Sequence, residues 1–246
     1  MDEIKQEPNL VENTPKPDPN QAINQITGAI VIAGLLIAGA IFFKGNTSPA
    51  NPKAQVATEE DLSTKNVPPI NAKDHITGKL NAKIVIVEYS DTECPFCKTF
   101  HTTMQKIIAQ KEVDVAWVYR HNPIPQLHAK ALHEAEATEC AFDQGGNDAF
   151  WKYIDRMFAI TPSNDGLDEK ELMNIADYVG LNSSSFYTCL QSGKYTNQIE
   201  TAMNEARQAG VEGTPTSFIF VDGKLSDIIQ GAQPYDVVLN KLKALK

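Results

Sequence analysis

Two cysteines two residues apart, Cys94-Pro95-Phe96-Cys97, stand where one hydrophobic period ends and another begins. Before them, Lys83-Ile84-Val85-Ile86-Val87-Glu88-Tyr89 is a short apolar run of β-branched residues, the pattern of a buried strand. After them, Phe100, Met104, Ile107 and Ile108 recur on one face at helical spacing. Pro95 suits the first helical turn, where its missing N–H would be unpaired anyway. The pair is therefore expected at the start of a helix that follows a buried strand. Amides at a helix N-terminus stabilise a thiolate, the nucleophile of disulfide exchange. Two intervening residues let the sulfurs close a small ring. The same placement buries the second cysteine more deeply, so Cys94 is expected to attack and Cys97 to resolve. Half of a zinc site is the competing reading. It would need further ligands, often a second C-x-x-C, and the other cysteines, Cys140 and Cys189, stand alone.

The rest of the chain extends this strand–helix unit. Residues 113–119 read as a second strand, and from Gln126 to about Ala209 only helical patterns occur. They are broken by Gln144-Gly145-Gly146-Asn147, by Thr161-Pro162-Ser163-Asn164-Asp165-Gly166, and near Gly180 and Gly193. Ser217-Phe218-Ile219-Phe220-Val221 and Leu225-Ser226-Asp227-Ile228-Ile229 predict a hairpin across Asp222-Gly223. A last helix is expected from Pro234 to Leu245. The order describes a small α/β domain, at 71–125 and 200–246, interrupted by an all-helical insertion at 126–199. Hydrophobic residues at 42% and charged residues at 22% are enough for a packed core. A net charge of -9 argues against a nucleic-acid surface.

Ahead of this lies a different kind of sequence. Residues 1–22 are polar, acidic and proline-bearing, and are read as a disordered tail facing the cytoplasm. Residues 23–43 carry no charge and are long enough to span a bilayer, so a single transmembrane anchor is expected there. A cleaved signal peptide or a buried helix competes with it. The length, the acidic segment before it and the poor cleavage site around Ser48-Pro49-Ala50 favour the anchor. Lys5 and Lys16 before the span balance Lys44 and Lys53 after it, so charge does not set the orientation. Residues 44–70 are read as a linker.

Two further features bear on the cysteine pair. Glu88 is the one acid in an apolar strand, six residues before Cys94. It is either an edge-strand residue facing water or a buried carboxyl with a raised pKa that handles the Cys97 proton. Gly213-Thr214-Pro215-Thr216 leads into the hairpin. A proline entering a buried strand loses a ladder donor. A cis Thr214–Pro215 bond, turning the backbone toward the cysteines and an extended substrate, would explain it; an ordinary turn proline is the alternative.

From Asp74 to Lys246 the chain resembles the DsbA-like thiol-disulfide oxidoreductases of bacterial envelopes. The resemblance is carried by Asp74-His75-Ile76-Thr77-Gly78, Glu88, Tyr89-Ser90-Asp91-Thr92-Glu93-Cys94-Pro95-Phe96-Cys97 and Gly213-Thr214-Pro215-Thr216. It implies a thioredoxin fold with an inserted helical domain, a nucleophilic Cys94, a resolving Cys97, a buried Glu88 and a cis-proline at Pro215. It implies no cofactor beyond the redox-active Cys94–Cys97 disulfide and no metal. Phe96 replaces the histidine of the best-known oxidases, and Thr214 replaces their valine. The leading expectation is an oxidase that introduces disulfides into exported, cysteine-containing proteins and is reoxidised by a quinone-linked membrane protein. A disulfide isomerase or reductase is the alternative, and a non-catalytic metal-handling or chaperone module a further one.

Four cysteines with one active pair leave Cys140 to bond Cys189 within the insertion; two buried free thiols are the alternative. A structural bridge and a membrane span together place the catalytic domain outside the cytoplasm. His101 is expected at the surface. His121, His128 and His133 are expected in solvent or capping roles, and Glu134, Glu136 and Glu139 on a solvated helix face.

Overall fold

The structure, a computed structural model, describes Leu62, residues 65–79 and residues 81–245. The expected tail at 1–22, the anchor at 23–43 and most of the linker at 44–70 lie outside the described residues. Among the described residues, no helix is long and apolar enough to cross a membrane.

The elements run β1 (His75–Gly78), β2 (Ile84–Ser90), α1 (Pro95–Gln110), β3 (Val115–His121), then α2 (Ala131–Ile160), α3 (Lys170–Tyr178), α4 (Ser183–Ser192) and α5 (Thr196–Gln208). The chain closes with β4 (Thr216–Val221), β5 (Lys224–Gln230) and α6 (Tyr235–Ala244). The five strands form one mixed sheet in the order β1-β3-β2-β4-β5. β2 and β3 are parallel and the remaining pairs antiparallel. The β-branched run therefore occupies the centre of the sheet, where both faces are covered. α1 and α6 pack on one face, placing Phe100, Met104, Ile107, Val238 and Leu242 against Ile84, Ile86, Trp117 and Ile219. α5 covers the other through Ala206, against Val87, Tyr89, Val118 and Phe218. The hairpin turns where expected. Asp222 and Gly223 both have positive φ, 48° and 78°, as a two-residue hairpin turn of matching twist requires.

β1 was not anticipated, because four residues, His-Ile-Thr-Gly, are too few to show a period. It pairs antiparallel with β3 and is held by an ion pair at its start. The Arg120 guanidinium donates to both carboxylate oxygens of Asp74, at 2.7 and 2.9 Å, and also to the carbonyls of Pro68 and Pro69. The last residues of the expected linker are thus docked on the sheet. α5 runs across the expected boundary at 199/200.

α2 continues past Cys140 as helix, with non-helical backbone only at Gly145 and Gly146. Gly146 has φ 63° and ψ -153°, a conformation that suits glycine. Cys140 on α2 and Cys189 on α4 form a disulfide, with Cα atoms 5.8 Å apart.

The acidic run on α2 is not solvated: Glu134, Glu136 and Glu139 are all buried. α2 packs against β1 on one side and α3, α4 and α5 on others, so it has little free face. Glu139 accepts from His75 at 2.7 Å and lies 3.3 Å from His121. Burial opposes its charge, but the two imidazoles outweigh that and hold its pKa down at about 2. His121 is buried in β3 rather than in solvent, and His128 is buried against Asp91. His101 is also buried, 2.6 Å from Asp155 and packed beside Trp117 and Phe158, because the insertion covers the α1 face that would otherwise be exposed. Only His133 keeps substantial exposure among these histidines.

Candidate active site

The central strand β2 ends at Ser90, and after four intervening residues the chain enters α1 at Pro95. Cys94 is the N-cap residue of that helix, in extended backbone conformation. Its sulfur therefore faces the unpaired amides of the first turn. Cys97, one turn in, points back under the helix. Both cysteines are free thiols, 5% and 0% exposed respectively. The Cys97 sulfur accepts from the Asp91 N–H at 3.4 Å, which fixes it beside the end of β2.

The two sulfurs are driven in opposite directions. Cys94 is lowered to about 6, chiefly by a hydrogen bond from the Cys97 thiol, with help from the amides of Cys97 and Phe96, while burial opposes the shift. Cys97 is pushed well above the ordinary thiol range by burial and by the neighbouring Cys94 and Glu88. Only one of the two is a thiolate near neutral pH, and it is the one nearer the surface.

Glu88 lies on β2 with no exposure, opposite Tyr119 of β3 and Ser217 of β4. Its Oε2 accepts from the Trp117 indole N–H at 2.9 Å. Its Oε1 has no hydrogen-bond partner among the described residues. Burial raises its pKa to about 7, against the help of Ser90 and Trp117. The edge-strand alternative is excluded, since β2 is the middle strand of the sheet.

The Thr214–Pro215 bond is cis. It sets the Thr214 carbonyl 3.5 Å from the Cys94 sulfur, within reach of the S–H. Phe96, between the cysteines, is 64% exposed, and Leu127 in the loop after β3 is 68% exposed. The structure thus brings together Cys94, Cys97, Glu88, Pro95, Phe96, Thr214 and Pro215. The Cys140–Cys189 bridge belongs to a separate core, built from α2, α3 and α4.

Several residues of the site were not singled out in the sequence. Trp117 and Ser90 touch or border Glu88; the signal for Ser90 was its spacing of two from Glu88, which puts both on one face of a strand. Asp91 accepts from Ile124 N–H and His128, bracing the loop into Cys94. Burial disfavours the imidazolium of His128, yet the Asp91 carboxylate raises its pKa. Glu134 approaches Glu93, the residue before Cys94, and its pKa is raised to about 9 by burial and by that second carboxyl. No local pattern marks such a pair, because α2 and the cysteine loop meet only in the folded chain.

Comparison with known proteins agrees with this geometry. Residues 71–240 match the family model described as thioredoxin. Among solved structures, the chain is similar to DsbA2 of Pseudomonas aeruginosa, at 29% identity and a TM-score of 0.58, covering 74% of this chain and 97% of that one. It shares a fold with oxidised BdbD of Bacillus subtilis, at 19% identity and a TM-score of 0.63, covering 74% and 96%. Among curated proteins, it is similar to Na(+)/H(+) antiporter NhaA 3 of Salinispora tropica, at 30% identity over 167 residues, 68% of this chain and 24% of that protein. The chain spans about a quarter of the length of the curated relatives it matches.

Proposed function

Since the chain belongs to the thioredoxin family, we propose that it is a thiol-disulfide oxidoreductase whose working pair is Cys94 and Cys97. The observation that carries this reading is the split between the two thiols. Cys94 sits at a helix N-terminus with its pKa lowered to about 6, and the buried Cys97 directly behind it is pushed the other way. A stabilised thiolate at a helix N-terminus, backed by a protonated partner, is what a sulfur relay requires. In the oxidising direction, a substrate thiolate attacks the Cys94 sulfur of the Cys94–Cys97 disulfide. That bond breaks, a mixed disulfide forms, and Cys97 leaves with the electron pair and takes up a proton. A second substrate thiolate then expels Cys94 and closes the substrate disulfide. The cis-Pro215 loop offers backbone beside Cys94 to an extended substrate.

The preferred direction is oxidation of exported, cysteine-containing proteins, outside the cytoplasm, with a quinone-linked membrane protein restoring the disulfide. Residues 23–43 would anchor the chain in the membrane. The Cys140–Cys189 bond supports an oxidising compartment. Phe96 favours a second reading, isomerase or reductase, because its side chain adds neither charge nor a hydrogen bond to the Cys94 thiolate, whereas the Thr214 side chain helps to lower the Cys94 pKa. The antiport activity named for the curated relatives is not carried over.

Two measurements test the proposal. Catalytic reduction of insulin by the full chain is expected and should vanish in Cys94→Ala; no catalysis by the native chain would leave a binding module instead. The potential of the Cys94/Cys97 pair, by equilibration with glutathione, decides direction: a value at the reducing end, near that of thioredoxin at about −270 mV, would overturn the oxidase assignment.

A further inference from the structure

Glu88 is not the only polar group buried beneath the cysteines. Side chains alternate along a strand, so Ile86, Glu88 and Ser90 share one face of β2. In register beside them on β3 are Trp117, Tyr119 and His121, and on β4 Ser217 lies opposite Glu88. α1 closes this face from above with Cys97. The result is a small enclosed polar patch in an otherwise apolar interior. Glu88 Oε1, Ser90 Oγ, the Tyr119 hydroxyl and Ser217 Oγ are all buried there and have no settled hydrogen-bond partner among the described residues. Unsatisfied buried groups are costly, about 1–3 kcal/mol each, so a cluster of them at a reacting centre calls for an explanation.

Ser90 occupies a position in this patch that looks both ways. It is the last residue of β2, two residues from Glu88 on the same face. The next residue, Asp91, donates its N–H to the Cys97 sulfur. Trp117 already occupies Glu88 Oε2, which leaves Oε1 as the oxygen free to give or take a proton. We infer that Ser90 is the hydroxyl through which a proton passes between Cys97 and Glu88. The inference rests on the oxidoreductase reading of the same site and adds a residue to it. Electrostatics agree: the Ser90 hydroxyl favours the charged form of Glu88, of Cys97 and of Tyr119 alike. A hydroxyl both donates and accepts and can rotate, so a group shared among three neighbours and fixed on none is suited to a relay.

The step balances simply. When Cys97 leaves as a thiolate, Ser90 gives it the hydroxyl proton and receives one from the Glu88 carboxyl, which becomes a carboxylate. In the other direction, the Cys97 thiol gives its proton to Ser90 as Ser90 passes one to the Glu88 carboxylate, and the freed thiolate attacks the Cys94 sulfur. The other titratable groups facing the patch are Tyr119 and His121 from β3 and Cys94 from α1, with Asp91 at the end of β2 held by His128.

The test uses the reduced full chain mixed with oxidised glutathione, quenched in acid and resolved by mass. The first step, attack by Cys94, forms the glutathione mixed disulfide. The second, attack by Cys97, removes it and closes Cys94–Cys97. Ser90→Ala should leave the first step unchanged and slow the second about tenfold or more, within the range of general acid–base effects. Ser90→Thr, which keeps the hydroxyl, should recover most of the second rate. Glu88→Gln should slow the second step too, and the Ser90→Ala, Glu88→Gln double variant should be no slower than Glu88→Gln alone, because both act on one path. An unchanged second step in Ser90→Ala, a Thr variant as slow as the Ala variant, or multiplying effects in the double variant would each overturn the relay. If the native chain forms no mixed disulfide on Cys94, the oxidoreductase reading itself falls, and the relay with it.

Discussion

Glu88→Gln should make the protein more stable, and only above acidic pH. In the folded chain burial holds the Glu88 carboxyl at about 7, against an ordinary 4.5. Below pH 4 both folded and unfolded chains carry it protonated, and it contributes no difference. As pH rises past 4.5 the unfolded chain releases the proton while the folded chain keeps it. The unfolded state then binds fewer protons, so stability falls with rising pH. Above pH 7 the folded chain ionises too and the loss levels off. At about 1.4 kcal/mol per pH unit, the gap between 4.5 and 7 corresponds to a loss of about 3 kcal/mol. Against a typical total of about 5–15 kcal/mol this is a large fraction. Glutamine has the same shape and its amide oxygen still accepts from Trp117, but it does not titrate. Urea unfolding of the reduced chain, followed by tryptophan fluorescence, should therefore show Glu88→Gln stabilised by about 3 kcal/mol at pH 8 and equal to the native protein at pH 4. A difference of the same size at both pH values would refute the reasoning, because it would mean packing rather than ionisation sets the effect.

Alkylation of Cys94 by iodoacetamide should reach half its maximal rate near pH 6, where its lowered pKa lies; a midpoint near the free-thiol value of about 8.5 would remove the thiolate from the site. Phe96→His should make the pair more oxidising than the native protein, itself expected between about −270 and −120 mV, since a histidine can stabilise the thiolate by charge or hydrogen bonding. Equilibration with glutathione checks this, and an unchanged or more reducing variant counts against it. The Cys140→Ala, Cys189→Ala double variant should lose at most about 4 kcal/mol, the chain-entropy value for a separation of 49 residues, yet keep its insulin-reducing activity per folded molecule. Melting curves and activity assays on the same sample check both halves; a folded but inactive variant would tie the bridge to the chemistry.

What could be read in the sequence was what is local. The β-branched run of β2, the helical face after Pro95 and the Asp222-Gly223 turn each carry their geometry within a few residues, and each formed as expected. Glu88 was legible because a carboxyl inside an apolar run is an anomaly with few explanations. The misplaced residues all sit where α2 meets the rest of the fold. Glu134, Glu136 and Glu139 have the composition of a solvated face. They become interior only because α2 is enclosed by β1 and by the helices after it, which no period within α2 encodes. His101 is a polar residue on an amphipathic helix until Trp117, Phe158 and Asp155 close over it. Partners 54 residues apart, such as His101 and Asp155, leave no trace in local spacing.

The same long-range enclosure explains why the two cysteines differ. A C-x-x-C on an isolated helix would have two nearly equivalent thiols, separated only by one turn of amides. Here the end of β2 and the Asp91 amide hold the Cys97 sulfur inside, while Cys94 stays at the N-cap beside Thr214. Interior and rim then demand opposite protonation. The interior beneath the helix holds Cys97 and Glu88 together; burial and the Glu88 charge raise the pKa of Cys97, and burial and the Cys94 charge raise that of Glu88. Two negative charges in that enclosed space are strongly disfavoured. When Cys97 ionises, Glu88 must therefore hold the proton, and when Cys97 is a thiol Glu88 is free to ionise near neutral pH. In the proposed reaction the proton's position inside thus follows which sulfur carries the electron pair, and Cys94, at the rim, would meet the substrate as a thiolate.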